Sequence, residues 1–220
     1  MPKSRRSAAR HASVGRSVSS SSVTGKKTAS GKNQLRIVGG EWRGRKLPFP
    51  DGEGLRPTGD RMRETLFNWL NFELFGRRVL DLFAGSGALG LEALSRGAKS
   101  AVFLDNHSGV IRQIRENLTT LKCENADVAQ GDALSWIASQ HDAFDLIFLD
   151  PPFGKGLLAP VCQALDAQGV INDRALIYLE AEKHFDFSDI PLDWQLKKEK
   201  RAGQVICRLY QRIAVETHDD

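Results

Sequence analysis

The alternation of apolar and polar positions from residue 78 onward predicts strands and helices that follow one another in turn. Short apolar runs, typical of strands buried on both faces, alternate with segments whose apolar residues recur at helical spacing. The predicted strands cover residues 79–83, 100–104, 126–130, 144–149 and 175–179. The predicted helices cover residues 88–96, 110–121, 133–139 and 157–167. This order indicates a parallel sheet with helices packed on both of its faces.

The two ends of the folded region depart from this alternation. Segments 194–200 and 204–211 flank a glycine turn and predict a closing antiparallel hairpin. Upstream, residues 35–49 predict a small hairpin, and Thr58 is suited to cap a helix of about 16 residues with one apolar face. The predicted fold class is therefore α/β: a doubly wound, seven-stranded, Rossmann-like sheet with an antiparallel C-terminal hairpin and a small N-terminal hairpin and helix appendage.

Charge divides the chain into unequal parts. The first 34 residues contain eight Lys and Arg residues and no acidic residue, so this segment has a charge of +8. Because the whole chain is +4, the remainder is −4, and the basic character belongs to the N-terminal segment. A segment this polar and Ser-rich is predicted to be disordered. It could act as a solvated tail, as an arm that attracts RNA, or as an organellar transit peptide.

These patterns predict four regions: a disordered basic tail over 1–34, a hairpin and helix over 35–75, an α/β domain over 76–213 and a C-terminal tail over 214–220. Three scattered cysteines and five scattered histidines have no metal-binding spacing, so no metal is expected. The odd number of cysteines favours a reducing compartment, and no apolar run approaches the roughly 20 residues of a membrane span. We expect a cytoplasmic monomer that is not attached to a membrane.

The first turn from strand to helix contains a glycine-rich loop that suits a nucleotide cofactor. Gly85, Gly87 and Gly90 have the spacing of the dinucleotide-binding fingerprint, in which glycines allow a tight turn and close backbone approach. Asp81 lies four residues before the first glycine, where a carboxylate would repel a pyrophosphate. The same carboxylate would suit the ammonium and sulfonium groups of S-adenosylmethionine. The loop therefore favours this cofactor, and a nicotinamide-dependent oxidoreductase is the alternative from another enzyme class.

Two further carboxylates follow later strands at the same edge of the predicted sheet. Asp105 follows the second strand and could accept hydrogen bonds from both ribose hydroxyls. Asp132 follows the third strand and could accept from an adenine amino group, with the Ala133 N–H donating to the ring. The alternative for Asp132 is that it caps the helix that begins there. The candidate cofactor-binding residues are Asp81, Phe83, Ala84, Gly85, Gly87, Asp105, Asn106, Asp132 and Ala133.

The fourth predicted strand runs into Asp150-Pro151-Pro152-Phe153, the candidate catalytic segment. An exocyclic base nitrogen is a poor nucleophile because its lone pair is delocalised into the ring. If Asp150 and the Pro151 carbonyl each accept one N–H, the lone pair can be directed at the methyl group. The prolines stiffen the backbone and remove competing donors, and Phe153 supplies a face for an extruded base. The structural alternative is a turn that only ends the strand.

In these segments the chain resembles the bacterial 16S ribosomal RNA guanine-N2 methyltransferase family. Matching segments cover residues 35–47 and 55–70, and the match continues through the glycine loop and residues 150–153. The resemblance therefore extends over residues 35–212. The glycine loop and the catalytic segment occur in many methyltransferases, so the segment Arg56-Pro57-Thr58 discriminates best.

The resemblance implies a class I methyltransferase domain over 76–213, S-adenosylmethionine as cofactor, and N2-methylguanine of the guanine-966 type in 16S rRNA as product. The implied partner is 16S rRNA within the small ribosomal subunit or its assembly intermediate. Within the same nitrogen chemistry, adenine N6 in DNA or a protein glutamine stays open as the acceptor. A non-catalytic RNA-binding assembly factor is the alternative without methyl transfer.

Basic residues of the N-terminal hairpin and helix are the main candidates for substrate binding. Arginines there could hold an RNA phosphate or the carboxylate of the cofactor. Ion pairs with neighbouring acidic residues at helical spacing are the alternative. The candidate substrate-binding residues are Arg43, Arg45, Arg56, Thr58, Arg61 and Phe153.

Overall fold

The computed structural model describes residues 33–50 and 60–213. Predictions that concern residues 1–32, 51–59 and 214–220 lie outside the described residues; these include most of the basic tail and the candidate residues Arg56 and Thr58. The described elements all belong to one unit of the chain, Lys32–Asp220.

The described residues form nine strands and five α-helices. The strands are β1 (Gln34–Arg36), β2 (Lys46–Pro48), β3 (Arg78–Asp81), β4 (Ser100–Asp105), β5 (Ala126–Gln130), β6 (Phe144–Leu149), β7 (Ile171–Glu182), β8 (Trp194–Ala202) and β9 (Val205–Arg212). The helices are α1 (Asp60–Trp69), α2 (Ala88–Ser95), α3 (Ser108–Leu121), α4 (Ala133–Ala138) and α5 (Leu158–Gln168). A short 3-10 helix, Phe187–Asp189, precedes β8.

Seven of these strands form one sheet in the order β5-β4-β3-β6-β7-β9-β8. The strands from β3 to β7 are parallel, whereas β9 runs antiparallel to both β7 and β8. The remaining two strands, β1 and β2, form a separate antiparallel pair. The structure confirms the predicted fold class: a doubly wound parallel sheet, closed by an antiparallel hairpin and preceded by a small hairpin and helix.

The sheet separates two hydrophobic cores. On one face, α1, α2, α3 and the N-terminal hairpin pack against residues that include Phe103, Phe148 and Tyr178. On the other face, α4 and α5 pack against residues that include Ile147 and Leu149. Successive residues of β6 therefore point to opposite faces, as the geometry of a strand requires. Burial of both faces explains why the strands have nearly continuous apolar sequences.

Some predicted boundaries were wrong. α1 has ten residues rather than about 16, because the chain turns after Trp69 and Phe72 takes a left-handed backbone conformation with φ 69°. β3 ends at Asp81, two residues before its predicted end, because the turn of the glycine loop begins there. β7 is much longer than predicted, since an irregular register opposite β6 accommodates the polar residues 172–174.

The carboxyl ends of the parallel strands, called the carboxyl edge below, border the candidate site. From β3 the chain continues outward to β4 and β5 and then crosses back to β6 on the other side of β3, and a doubly wound sheet binds ligands at such a point. The end of β7 lies beside the end of β6, since Leu149 pairs with Leu179. The predicted cofactor and catalytic segments follow β3, β4, β5 and β6, so all of them lie along this edge.

A buried carboxylate in α2 holds the N-terminal hairpin against the sheet. Glu92 is fully buried, and its Oε2 accepts a hydrogen bond from Val38 N at 2.8 Å. Its Oε1 accepts from Gly39 N at 2.7 Å and from Arg96 Nε at 2.8 Å. A charge removed from water is tolerated only when such donors surround it. Glu92 therefore anchors the hairpin.

Replacing Glu92 with Ala is expected to lower the free energy of unfolding by about 2–4 kcal/mol, because Arg96 and two backbone N–H groups lose their acceptor. Urea denaturation measures this change. The matched control is Glu73→Ala, which removes another Glu–Arg pair at i,i+4 spacing, this one with Arg77 on the surface. The control should cost less than about 1 kcal/mol. Equal losses in the two variants would contradict the anchoring role of Glu92.

Candidate active site

The glycine loop between β3 and α2 adopts a conformation that favours glycine. Gly85 and Gly87 have φ values of 50° and 75°, in the left-handed region. At Gly87, an added Cβ would lie 3.2 Å from the Leu91 side chain and 3.3 Å from that of Ile114. Glycine is therefore favoured at position 87 both by its backbone conformation and by the close packing of Leu91 and Ile114.

Gly90, the third glycine of the fingerprint, lies inside α2 and serves packing. An added Cβ there would lie 2.3 Å from the ring of Phe103 in β4. No side chain fits in that space, so α2 lies unusually close to the sheet. The backbone N–H of Gly90 also donates to Asp81 Oδ2 at 2.9 Å. The helix is thus fixed to β3 and to β4 at the same residue.

Asp81 is buried at the end of β3, with 3% of its surface exposed. Burial raises the pKa of its carboxyl group to about 7; the bond from Gly90 lowers this pKa in part, and the charge of Asp105 raises it. A carboxylate this poorly solvated would be stabilised by a cationic group nearby. Binding of the cofactor's ammonium or sulfonium group by Asp81 stays a prediction. The structure shows a second role for this residue, because its bond from Gly90 N fixes α2.

The raised pKa of Asp81 is expected to make stability depend on pH. The unfolded chain releases this proton near pH 3.8, whereas the folded chain keeps it until about pH 7. Between these values the unfolded state binds fewer protons, so the contribution of Asp81 to the free energy of unfolding falls as pH rises, by at most about 1.4 kcal/mol per unit. Asp81→Asn should lack this dependence when both proteins are denatured with urea from pH 4 to 8. Identical pH profiles for the unchanged protein and Asp81→Asn would contradict the raised pKa of Asp81.

Asp105 joins the end of β4 to the glycine loop. Its half-buried carboxylate accepts from Gly85 N at 3.0 Å through Oδ2 and from His107 N at 2.8 Å through Oδ1. Each oxygen keeps a further lone pair that a ribose hydroxyl could use. The two bonds hold the carboxylate beside the loop, and the ribose contact stays a prediction.

The other predicted cofactor residues line the same loops. Asp132 is the N-cap of α4: its Oδ1 accepts from Ser135 N at 2.9 Å, and this bond lowers the pKa of Asp132. The capping interpretation is therefore confirmed, while the adenine contact stays a prediction. The remaining members differ in exposure: Ala84 and Ala133 are buried, Phe83 is half-buried and Asn106 is exposed.

The catalytic segment after β6 presents its aromatic ring to solvent. Asp150 is half-buried, Pro151 is buried, Pro152 is exposed, and 46% of Phe153 is exposed. The ring is therefore accessible for stacking by a base. A cavity of about 80 Å³ opens beside the segment, and its lining includes Pro151, Phe153, Gly154, Glu180, Glu182 and Phe185.

Two glutamates at the end of β7 belong to this site and were missed in the sequence. Glu182 Oε1 accepts a hydrogen bond from Gly154 N and so ties the catalytic segment to β7. Glu180 is 7% exposed, and its Oε1 accepts from the Tyr178 hydroxyl at 2.7 Å. The predicted strand ended at residue 179, which left both glutamates in a loop. Alternation along a strand that continues to residue 182 would have put 178, 180 and 182 on one face.

The hairpin arginines lie far from the catalytic segment. Arg45 Nη2 donates to Thr120 O at 3.1 Å, near the C-terminal end of α3. Because α3 starts at the carboxyl edge and leads back to the start of β5, Thr120 lies at the opposite edge. Arg43 is exposed in the same hairpin. A role of these two arginines in substrate binding stays a prediction, and it would require an RNA that extends across the molecule.

Arg61 lies nearer to the candidate site. It is exposed in the first turn of α1, four residues before Thr65. Thr65 Oγ1 accepts from Lys200 Nζ at 2.7 Å. Lys200 lies at the carboxyl edge, because it pairs with Cys207, which in turn pairs with Glu180. The turn of α1 that follows Arg61 therefore contacts the edge that carries Asp150, whereas the hairpin arginines lie at the opposite edge.

Within residues 33–50 and 60–213, no group of three or more His, Cys, Asp and Glu side chains is arranged to hold a metal ion. All three cysteines are free thiols. None of the helices in this part of the chain is long and apolar enough to cross a membrane.

The fold and the site together define a class I, S-adenosylmethionine-dependent methyltransferase. The residues fit this cofactor, since Gly85 and Gly87 have the left-handed φ values that suit the tight turn of the fingerprint, and Asp105 lies beside the loop with acceptor capacity for a ribose. The glycine loop and Asp105 would hold the cofactor, which supplies a methyl group on a sulfonium.

The chain belongs to the family described as conserved hypothetical protein 95, which matches residues 35–211. Ribosomal RNA small subunit methyltransferase D from Escherichia coli is 51% identical over 185 residues, or 84% of this chain and 93% of that protein. The protein of the same name from Haemophilus influenzae is 46% identical over 188 residues, or 84% of this chain and 97% of that protein. These similarities confirm the family resemblance.

Solved structures also resemble this protein. A putative methyltransferase from Escherichia coli matches with a TM-score of 0.77 and 50% identity, covering 83% of this chain and 100% of its own. A putative methylase from Haemophilus influenzae matches with a TM-score of 0.73 and 42% identity, at the same coverage. A methyltransferase is therefore supported over the nicotinamide-dependent oxidoreductase that the glycine spacing alone allowed.

Replacing Asp105 with Ala is expected to weaken S-adenosylmethionine binding about tenfold or more, since a bidentate acceptor is lost and Gly85 loses its partner. Isothermal titration calorimetry measures the dissociation constant. Asp127→Ala is the matched control, because Asp127 is an exposed carboxylate on the neighbouring strand β5. Unchanged affinity in the Asp105 variant would remove this residue from the cofactor site.

Proposed function

We propose that this protein transfers a methyl group from S-adenosylmethionine to the exocyclic N2 of a guanine in 16S rRNA, of the guanine-966 type. The observation that carries the proposal is the position of Asp150-Pro151-Pro152-Phe153 at the carboxyl end of β6, beside the glycine loop. The names of the two curated relatives support the ribosomal substrate. The choice of N2 and of the nucleotide rests on the family resemblance.

The residues of the catalytic segment would act on the acceptor nitrogen. The Asp150 carboxylate and the Pro151 carbonyl accept one N–H each, so that the nitrogen lone pair is directed at the methyl carbon. Pro151 and Pro152 lack N–H groups that could compete for these acceptors. Phe153 stacks on the extruded base. The cofactor would supply the methyl group to N2 and leave as a neutral thioether, and the nitrogen would give one proton to the Asp150 carboxylate that accepts its hydrogen bond.

The proposal extends to the setting of the reaction. Small ribosomal subunits assemble in the cytoplasm, so the protein would act there, as a monomer, on the subunit or on an assembly intermediate. Arg61 at the carboxyl edge could contact a phosphate near the target base. The basic tail would then add sequence-independent attraction to RNA.

Asp150→Ala is expected to lower methyl transfer to small subunits about 100-fold or more, with S-adenosylmethionine affinity within a few-fold of the unchanged protein. Small subunits from cells that lack the protein serve as substrate, and mass spectrometry of nucleosides identifies the product. Asp142→Ala is the matched control, because Asp142 is an exposed carboxylate just before β6.

Two results would count against the proposal. Retained transfer by Asp150→Ala would remove that residue from the chemistry. An unchanged N2-methylguanine content of small-subunit rRNA in cells without the protein would exclude the proposed product. A loss of methylated adenine or of methylated glutamine in those cells would instead favour one of the two acceptors left open above.

A further inference from the structure

The register of β6 against β7 brings Glu180 opposite Asp150 at the carboxyl edge. Leu149 of β6 pairs with Leu179 of β7. The residues that follow them, Asp150 and Glu180, are therefore neighbours. Both follow residues that alternate between the two cores, and both therefore point to the α1 face. Cys207, which pairs with Glu180, reports on both charges: burial chiefly, then Glu180 and more weakly Asp150, raise its pKa to about 12.

The Glu180 carboxylate is held in a defined orientation. The Tyr178 hydroxyl donates to its Oε1 at 2.7 Å. Burial, together with the neighbouring charge of Glu180, raises the pKa of Tyr178 well above its ordinary value, so this hydroxyl keeps its proton and remains a donor. Glu180 also borders the cavity beside Pro151 and Phe153. A carboxylate fixed in this way is suited to recognise a hydrogen-bond donor on a ligand.

The hydrogen-bonding edges of guanine and adenine differ next to the exocyclic amine. In guanine, the ring nitrogen N1 beside the amine carries a hydrogen and is a donor. In adenine, N1 beside the amine carries a lone pair and is an acceptor. An ionised carboxylate is an acceptor only, so it can bind the N1–H of guanine and is repelled by the N1 lone pair of adenine.

We propose that Glu180 determines base specificity by accepting the N1–H of the target guanine, while Asp150 accepts from the adjacent exocyclic amine. This inference rests on the proposed function and goes beyond it, because it names the residue that selects guanine over adenine. The two carboxylates bind two neighbouring donors on one base edge, and Phe153 provides the stacking surface. With a base that lacks the N1–H, the Glu180 carboxylate faces a lone pair. This repulsion discriminates against such a base more strongly than the shape of the site alone would.

The test compares guanine with 2-aminopurine at the methylated position. 2-Aminopurine keeps the exocyclic amine at C2, but its N1 is an acceptor. Small subunits are assembled from unmethylated 16S rRNA that carries either base at the position identified by nucleoside mapping. The ratio of kcat/KM values for the two bases is measured with the full-length protein by transfer of labelled methyl groups.

The unchanged protein is expected to prefer guanine by about 10- to 100-fold. Glu180→Gln should reduce this preference by about tenfold or more, because an amide can donate to N1 of 2-aminopurine. Glu180→Asp retains the carboxylate and should still prefer guanine. Glu182→Gln is the matched control on the same face of β7; whatever its overall rate, its preference should equal that of the unchanged protein.

Three outcomes would overturn the inference. Equal loss of activity on both bases in Glu180→Gln would leave Glu180 with a structural role and no role in base selection. If circular dichroism and S-adenosylmethionine binding show that this variant is unfolded, Tyr178→Phe replaces it: loss of the orienting hydroxyl should lower the preference for guanine, and an unchanged preference counts against Glu180. If the unchanged protein does not methylate guanine at all, the proposed function fails, and this inference fails with it.

Discussion

The hydrogen bond from Gly90 N to Asp81 Oδ2 fixes the helix on which much of the remaining structure depends. It joins α2 to β3 at a point where the helix already touches the ring of Phe103. Every residue of α2 is buried, so the helix has no room to shift. The glycine loop immediately before it therefore has a fixed conformation, and the Asp105 carboxylate can hold Gly85 from the other side.

The far end of the same helix determines where the N-terminal hairpin lies. Glu92 binds the backbone after β1, and an added Cβ at Gly40 would lie 1.8 Å from Ser95 O. Gly40 also has a φ of 75°, so this contact requires glycine twice over. The packing that shapes the glycine loop thus also positions the N-terminal hairpin. One short helix therefore joins the hairpin to the predicted cofactor loop.

Local patterns were sufficient to predict the sheet and the glycine loop, because each depends on residues that are close in sequence. The alternative interpretation of Asp132 as a helix cap, which the structure confirms, was open for the same reason. Contacts between distant residues could not be predicted in this way. The binding of Glu92 to Val38 and the position of Arg45 against α3 depend on tertiary packing. Glu180 was missed because only the register between β6 and β7 brings it opposite Asp150, and that register is not visible in the sequence.

The neighbouring carboxylates of the site also bear on specificity. Guanine offers donors at both N1 and N2, so in the proposed arrangement it can bind Asp150 and Glu180 together. Adenine offers donors only at its amine and would leave one carboxylate facing a lone pair. The chemistry of the catalytic segment requires only an amine, and the second carboxylate adds the requirement for a neighbouring N–H.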